Sequence, residues 1–320
     1  MTLDDWRTLG AADLSPAYAQ ERARWLETLG WDLTSTLDAI EEGRRAGRVA
    51  GFVARGDDGT VRGWTYFLTH RRQLQIGALN ATTVDVLRGL LDAVLRSPEA
   101  ESALELMCFA FPERAGLESA LIRRRFTVTP YGYLTARVTD VLAGEAVTLP
   151  DGFGPWREQA GPALVRLLAR AYAGQPSARC FAPHGRLDEW AQYVSGLVHG
   201  VACGPQLTKA SFVAGESDTE AVGAIITTRV GPGMGHIAQV AVHPDRQRAG
   251  WGRQLVRAAA QAAGAVGCHS MSLLVAMDNA PARTLYESLG FAPRAQFVVA
   301  RRPALRRTLS IDQLPARRAS

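Results

Sequence analysis

A loop over residues 247–252 has the residue types of a phosphate-binding site. It reads Gln247-Arg-Ala-Gly-Trp-Gly252 and joins a strand pattern over 240–242 to an alanine-rich helix pattern that ends near residue 264. The backbone N–H groups in the first turn of a helix have no intrahelical partner and lie at the positive end of the helix dipole. Because glycine has no Cβ, an anion can approach its main chain closely. The loop therefore predicts that an anion binds at the start of this helix.

The two common nucleotide-binding fingerprints do not fit this loop. A Walker loop needs a lysine directly after its last glycine, but Arg253 follows Gly252 and the only lysine of the chain is Lys209. The dinucleotide-binding pattern G-x-G-x-x-G needs a third glycine at the position of Leu255. The residues therefore exclude a P-loop and disfavour a Rossmann fold.

A second motif lies about thirty residues downstream. An apolar strand pattern over 270–276 leads into a helix pattern that ends near Gly290. Asp278 or Asn279 suits the N-cap of this helix, and Pro281 suits its first turn. The spacing predicts a strand followed by a short helix, with Tyr286 near the end of that helix.

Together, the two motifs resemble those of the GNAT family of acyl-CoA-dependent N-acetyltransferases. The family's Q/R-x-x-G-x-G/A loop corresponds to residues 247–252, and its Asn-Ala, Leu-Tyr and Gly-Phe pairs correspond to Asn279-Ala280, Leu285-Tyr286 and Gly290-Phe291. The resemblance covers residues 205–302 firmly and 150–204 in outline. It implies an enzyme that uses acetyl-CoA as co-substrate and a primary amine as acceptor.

The resemblance also implies where the coenzyme binds. The pyrophosphate of coenzyme A would rest on the backbone amides of 248–253, and the pantetheine arm would lie beside Val240 and Val242 like an added strand. Asn279 would contact this arm, although capping of its own helix is the alternative role. The residues assigned to coenzyme binding are Val240, Ala241, Val242, Gln247, Arg248, Ala249, Gly250, Trp251, Gly252, Arg253, Asn279 and Ala282.

The same resemblance assigns the acid of the reaction. In this family the amine attacks the thioester directly, and an acid within hydrogen-bond reach stabilises the departing thiolate. Tyr286 corresponds to that acid. The alternative is that Tyr286 is an aromatic core residue, because Leu285, Leu289 and Phe291 surround it in sequence.

The general base is the point at which this chain departs from the family pattern. Many members carry Glu or Asp five or six residues before the proline of the loop, where this chain has Gln239 and Ala238. Glutamine cannot take a proton, but Gln239 could orient a water molecule that relays it. His236 is the nearest titratable group on the same strand, with an unperturbed pKa near ~6.5. The third possibility is that the amine loses its proton in solution before it binds.

Length and composition limit the class of protein. Domains contain ~150 residues on average, so a chain of 320 residues predicts two domains. A content of 47% hydrophobic and 21% charged residues is typical of a globular protein. No run of eighteen apolar residues and no signal-peptide pattern occurs, so we expect a cytoplasmic protein that does not bind membranes. The four cysteines are widely spaced, which predicts neither a metal site nor a disulfide framework.

The charge pattern does not indicate nucleic-acid binding. The net charge is +5, and nearly all of the positive charge is arginine scattered along the chain. Neither a concentrated basic patch nor interleaved aromatic residues accompany it. We therefore expect no nucleic-acid partner.

A faint internal repeat links the two halves of the chain. Phe126 follows a helix pattern as Phe291 does, and 291 − 126 gives an offset of 165 residues. The same offset places the glycine-rich loop on residues 82–87, where a helix pattern starts without any glycine. Asp85 would place a negative charge where the phosphate lies in the other half. The repeat predicts a similar fold without the coenzyme site.

These observations predict an α/β fold, of the α+β mixed-sheet kind, made of two tandem GNAT-like domains. Each domain would be a mixed, mostly antiparallel sheet flanked by helices. The predicted divisions are a degenerate domain over 1–142, an active domain over 148–304 and a C-terminal tail over 305–320. We expect a monomer, as a pseudo-dimer of its domains, or a homodimer.

The predicted function is transfer of an acetyl group from acetyl-CoA to a primary amine of a small molecule or peptide. Two alternatives stay open. The missing strand carboxylate is also compatible with a coenzyme-binding regulatory protein with weak or no catalysis. The degenerate half is compatible with a scaffold that mediates protein contact.

Overall fold

The computed structural model describes residues 1–70, 72–110, 116–144, 146–147, 149, 152–199, 203–217 and 220–303. The predicted tail over 305–320 lies outside the described residues. The helices of this part of the chain are α1 (Ala11–Leu29), α2 (Thr34–Arg45), α3 (Val84–Leu95), α4 (Pro98–Ser102), α5 (Leu117–Arg123), α6 (Val138–Val141), α7 (Gly161–Ala171), α8 (Leu187–Val198), α9 (Trp251–Ala265) and α10 (Ala280–Glu287).

The strands all belong to one sheet. They are β1 (Thr2–Asp5), β2 (Ala50–Arg55), β3 (Val61–His70), β4 (Gln73–Ala81), β5 (Glu105–Ala110), β6 (Thr127–Arg137), β7 (Phe153–Pro155), β8 (Phe212–Ser217), β9 (Glu220–Gly231), β10 (Met234–Val242), β11 (Ser270–Ala276) and β12 (Ala292–Pro303). Their spatial order is β1-β2-β3-β4-β5-β12-β6-β11-β10-β9-β8-β7. We call β1–β6 with their helices the N-terminal half and β7–β12 with theirs the C-terminal half.

Each half repeats the same mixed arrangement. Among the described strands, the pairs β4–β5 and β10–β11 are parallel, whereas the other paired strands are antiparallel. Each parallel pair is connected by a helix, α3 in the N-terminal half and α9 in the C-terminal half, as a parallel crossover requires. The predicted mixed, mostly antiparallel tandem fold is confirmed.

The two halves exchange their last strands at the centre of the sheet. Strand β6 of the N-terminal half pairs with β11 of the C-terminal half, with Arg137 opposite Ser270 and Tyr131 opposite Ala276. Strand β12 of the C-terminal half pairs with β5 of the N-terminal half and with β6. The division between 142 and 148 stays a prediction, and the sheet runs across it.

Helices cover both faces of the C-terminal half. On one face, α9 buries an apolar stripe of small and medium side chains against β10 and β11; this stripe is Leu255, Val256, Ala259, Ala260 and Ala263. On the other face, α7 buries Leu164, Leu167 and Leu168 against β9 and β10. Helix α8 packs beside α7 on this face and buries Trp190, Val194 and Leu197. Within the described residues, no helix is long and apolar enough to cross a membrane.

Candidate active site

An opening in the sheet lies between β10 and β11. The last residue pair that joins these two parallel strands is Ile237–Leu273, although β10 continues to Val242 and β11 to Ala276. The pairing of β10 with β9 shifts between Ile237 and Gln239, so a bulge coincides with the point where the strands part. Beyond it, the main chain of 238–242 has no ladder to β11. The edge predicted beside Val240 and Val242 is therefore present and unpaired.

The start of α9 closes one end of this opening. Gly250 is the N-cap residue with φ of 84°, and Arg248 also has a left-handed φ of 62°. Within the described residues no side chain caps this helix start, and its first turn contains no acidic residue. Alternation of left-handed residues turns successive N–H groups toward one point, which creates an anion-binding concavity. The loop thus has the geometry that its sequence predicted.

The side chains of the loop hold its shape. Gln247 Nε2 donates a hydrogen bond to the Val242 carbonyl oxygen at 3.2 Å, which ties the loop to the end of β10. Arg253 Nη2 donates to the Ser288 hydroxyl at 2.6 Å, and thereby links α9 to the end of α10. The Trp251 ring packs on Phe153, with ring centroids 4.9 Å apart.

Other residues predicted to bind the coenzyme lie either in the exposed loop or on strand β10. Ala249 is exposed in the loop, whereas Val240 and Val242 are half-buried on the α9 face of the sheet. Ala241 is buried on the opposite face, against the core of α7 and α8. Only its main chain is therefore positioned to meet a ligand in the opening.

The equivalent helix start in the N-terminal half is blocked. Strands β4 and β5 also part after their last pair, Ile76–Cys108, so the opening itself is repeated. However, the Thr83 hydroxyl caps α3 by accepting from the Val86 N–H at 3.3 Å, and Asp85 stands in the first turn. The cap occupies an amide that an anion would need, and the carboxylate would repel the anion. The cap and the carboxylate give a structural reason for the prediction that this half does not bind a phosphate.

Tyr286 is buried in the core on the α9 face of the sheet. It is 6% exposed, lies on α10 and packs edge-on to Phe291 at 5.8 Å. Burial raises the pKa of Tyr286 far above its ordinary value, with a smaller contribution from Tyr172, so the hydroxyl stays protonated. Among the described residues, the hydroxyl has no hydrogen-bond partner. Tyr286 is part of the core, as the alternative proposed, and it also retains an uncommitted proton donor.

Asn279 caps its own helix. Its Oδ1 accepts from the Ala282 N–H at 3.2 Å, and it is the N-cap residue of α10. Capping, which the sequence left as the alternative role, is therefore present. Ala282 lies half-buried in the first turn of α10 and packs against the α9 core. Contact of either residue with a coenzyme stays a prediction.

Gln239 is held by two tyrosines from the helices behind the sheet. Its Nε2 donates to the Tyr172 hydroxyl at 2.7 Å, and its Oε1 accepts from the Tyr193 hydroxyl at 2.8 Å. Nε2 also donates to the Val240 carbonyl oxygen at 3.2 Å. Gln239 therefore connects α7 and α8 to the bulge, a function that the sequence did not predict. No local signal in the sequence named Gln239 as the partner of these tyrosines.

The environment of His236 argues against its predicted role as a base. It is 2% exposed, and its Nδ1 lies 3.0 Å from the Ser272 hydroxyl. Burial lowers the pKa of His236 to about 3, so it has little affinity for a proton near neutral pH. Its ring faces Trp31 and Tyr133 of the N-terminal half. The prediction assumed an unperturbed pKa, which complete burial removes.

Comparison with known proteins defines the class. Residues 167–291 match the model of the acetyltransferase (GNAT) family. This part of the chain is therefore a GNAT domain, and the match supports an acyltransferase that uses acyl-CoA. Within the described residues, no group of three or more histidine, cysteine or acidic side chains could hold a metal ion. No curated protein is similar enough in sequence to be matched to this chain.

Solved structures resemble the fold across both halves. A GCN5-related N-acetyltransferase from Sphaerobacter thermophilus has a TM-score of 0.62 and 16% identity, over 94% of this chain and 96% of that one. A glucosamine N-acetyltransferase region of a fungal multi-domain GH3 β-N-acetylglucosaminidase has a TM-score of 0.58 and 15% identity, over 94% of this chain and 38% of that one. A tandem GNAT protein from the clavulanic acid biosynthesis pathway has a TM-score of 0.53 and 14% identity, over 80% and 83%. At these identities the likeness concerns the fold alone.

Proposed function

We propose that this protein is an N-acetyltransferase that moves an acetyl group from acetyl-CoA to a primary amine. The observation that carries the proposal is the unpaired edge of β10 next to the uncapped start of α9. An extended pantetheine arm fits beside 238–242 as an added strand, and the pyrophosphate fits on the amides of 248–253. Acetyl-CoA supplies the activated acyl group in this arrangement.

The residues at the opening support direct transfer. The amine nitrogen attacks the thioester carbon, the new C–N bond forms, and the C–S bond breaks. The sulfur leaves with its electron pair and takes a proton from the Tyr286 hydroxyl, while the amine releases its extra proton to water. Tyr286 then regains a proton from solvent. The Tyr286 hydroxyl is protonated and, among the described residues, is not committed to another hydrogen bond, so it is free to donate to the sulfur.

The acceptor is expected to arrive as the free amine. Gln239 is neutral and both ends of its amide are held by tyrosines, so it can orient groups but cannot remove a proton. His236 is buried and uncharged. The reaction would then speed up with pH as more of the amine loses its proton in solution.

The alternative is an acyl-CoA-binding regulatory or scaffold protein with weak or no catalysis. The missing strand carboxylate favours it. Free thiol should be measured with acetyl-CoA and a panel of amines, together with acetyl-CoA binding by calorimetry. Turnover with any amine supports the transferase, and binding without turnover across the panel supports the regulatory alternative. Absence of binding contradicts both.

A further inference from the structure

The exchange of strands brings a residue of the N-terminal half to the edge of the opening. Tyr131 of β6 is paired with Ala276, the last residue of β11, where β11 borders the opening. Tyr131 is 6% exposed and lies on the face of the sheet opposite α9, where it packs in a cluster with Leu29 of α1 and with Cys180 of the segment between α7 and α8. This face is opposite α9, whose first turn is the proposed pyrophosphate site, so an acceptor that reaches the thioester without displacing the coenzyme would come from this face.

Tyr131 contacts the segment that links α7 to α8. Its hydroxyl donates a hydrogen bond to Cys180 Sγ at 3.7 Å. The pKa of Tyr193 is raised well above its ordinary value, first by burial and then by nearby groups that include Tyr172, Tyr131 and Cys180. Cys180 is also the chain neighbour of Phe181, whose ring packs on Tyr193 and Tyr172, so these groups lie in one region. That region joins the two halves of the chain.

The region is walled by aromatic rings. Phe181 packs on Tyr193 at 4.7 Å between centroids and on Tyr172 at 5.9 Å, and all three side chains remain partly exposed. The hydroxyls of Tyr172 and Tyr193 are bonded to Gln239, so the rings mainly offer apolar faces. The wall would favour a flat apolar group over a strongly hydrated one.

Three ionic groups that influence Tyr131 or Cys180 bear on the polarity of this wall. Glu105 and Arg301 lie near Cys180 and form an ion pair with each other, so their charges offset one another. Asp278 is exposed and close enough to affect Tyr131 electrostatically. It lies at the rim and can attract a cationic amine without making the wall polar.

We propose that Tyr131 is a specificity-determining residue that, with Phe181 and Tyr193, binds the ring-bearing apolar body of the acceptor amine. The inference rests on the proposed transferase function and names the substrate class of that same site. It also means that the site of the C-terminal half is incomplete without the N-terminal half.

The test compares 2-phenylethylamine with spermidine and an amino sugar as acceptors for the full-length chain. The wild-type protein should prefer 2-phenylethylamine in kcat/KM. Tyr131→Leu should lower the ratio of kcat/KM for 2-phenylethylamine over spermidine by about tenfold or more, because the ring contact is lost. Tyr131→Phe should change it by about fivefold or less, because only the hydroxyl is lost. If Tyr131→Leu does not fold, Phe181→Leu gives a second test of the same wall. The Phe181 side chain is partly exposed, so its substitution should disturb the core less.

Tyr133→Phe is the matched control. Tyr133 lies two residues further along β6 on the same face, but its hydroxyl bonds to the Leu29 carbonyl oxygen within the N-terminal half. Its substitution should leave the acceptor ratio unchanged. Turnover without preference for the ring-bearing amine, or an unchanged ratio in both Tyr131→Leu and Phe181→Leu, would overturn the inference and leave the transferase proposal standing. Failure to bind acetyl-CoA would overturn both.

Discussion

The indole of Trp31 lies edge-on to the imidazole of His236, with ring centroids 5.0 Å apart. Trp31 belongs to the link between α1 and α2 in the N-terminal half, and His236 belongs to β10 two residues before the bulge. The indole N–H donates to the Tyr133 hydroxyl at 2.8 Å, so the contact is part of a buried polar network. The N-terminal half thus supports the strand that borders the opening in the sheet.

The burial of His236 predicts acid sensitivity. Its folded pKa of about 3 lies below the unfolded value near 6.5, so only the unfolded chain takes up this proton between those values. Stability is then full above pH 6.5 and falls as the pH drops toward 3. From pH 7 to pH 5 the free energy of unfolding should fall by about 2 kcal/mol from this group. Urea unfolding at both pH values measures it.

The control for this experiment is a pair of substitutions. His236→Asn should remove most of this pH dependence, whereas His70→Asn, at an exposed strand end, should leave it intact. Equal pH slopes for the wild-type protein and His236→Asn would show that His236 is not the group responsible.

Tyr286→Phe should separate catalysis from binding. If Tyr286 protonates the leaving thiolate, its loss should lower kcat by about a hundredfold and change the dissociation constant for acetyl-CoA little. Steady-state thiol release measures kcat, and calorimetry measures the dissociation constant for acetyl-CoA. Tyr18→Phe is the control, because Tyr18 is equally buried but bonds to Glu41 in the N-terminal half. An unchanged kcat in Tyr286→Phe would show that Tyr286 has only a structural role in the core.

The strand exchange predicts that the halves depend on each other. A fragment of residues 1–147 would leave β6 without β11 and β12, and β5 without β12. Exposed central edges favour aggregation, so the fragment should not melt cooperatively as a monomer. Co-expression with 148–320 should restore a complex with the size and melting curve of the full chain. A protease site inserted after the exposed Gly144 is the control, since a nicked chain should stay assembled.

Local sequence signals predicted the backbone geometry of the candidate coenzyme site but little of its surroundings. The loop at 247–252 was predictable because glycine positions and a helix start determine backbone geometry over a few residues. Asn279 was predictable as a cap for the same reason. The exchange of β6 and β12 was not, since pairing partners more than a hundred residues apart leave no local pattern. The burial of His236 depends on Trp31, about two hundred residues earlier, and the sequence offered no means to see it.

The contrast between the two helix starts predicts how to abolish coenzyme binding. Gly252 occupies the second position of α9, where α3 carries Asp85. Gly252→Asp should therefore weaken acetyl-CoA binding by about a hundredfold relative to Gly252→Asn, because a charge about 5 Å from a phosphate costs about 3 kcal/mol at intermediate dielectric. Asparagine has the same size, so it reproduces the crowding against Leu285, which lies 3.3 Å from the new Cβ position. Calorimetry at low and high salt should show the difference shrinking as salt screens the charge. Equal affinities for the two variants would place the pyrophosphate away from this helix start.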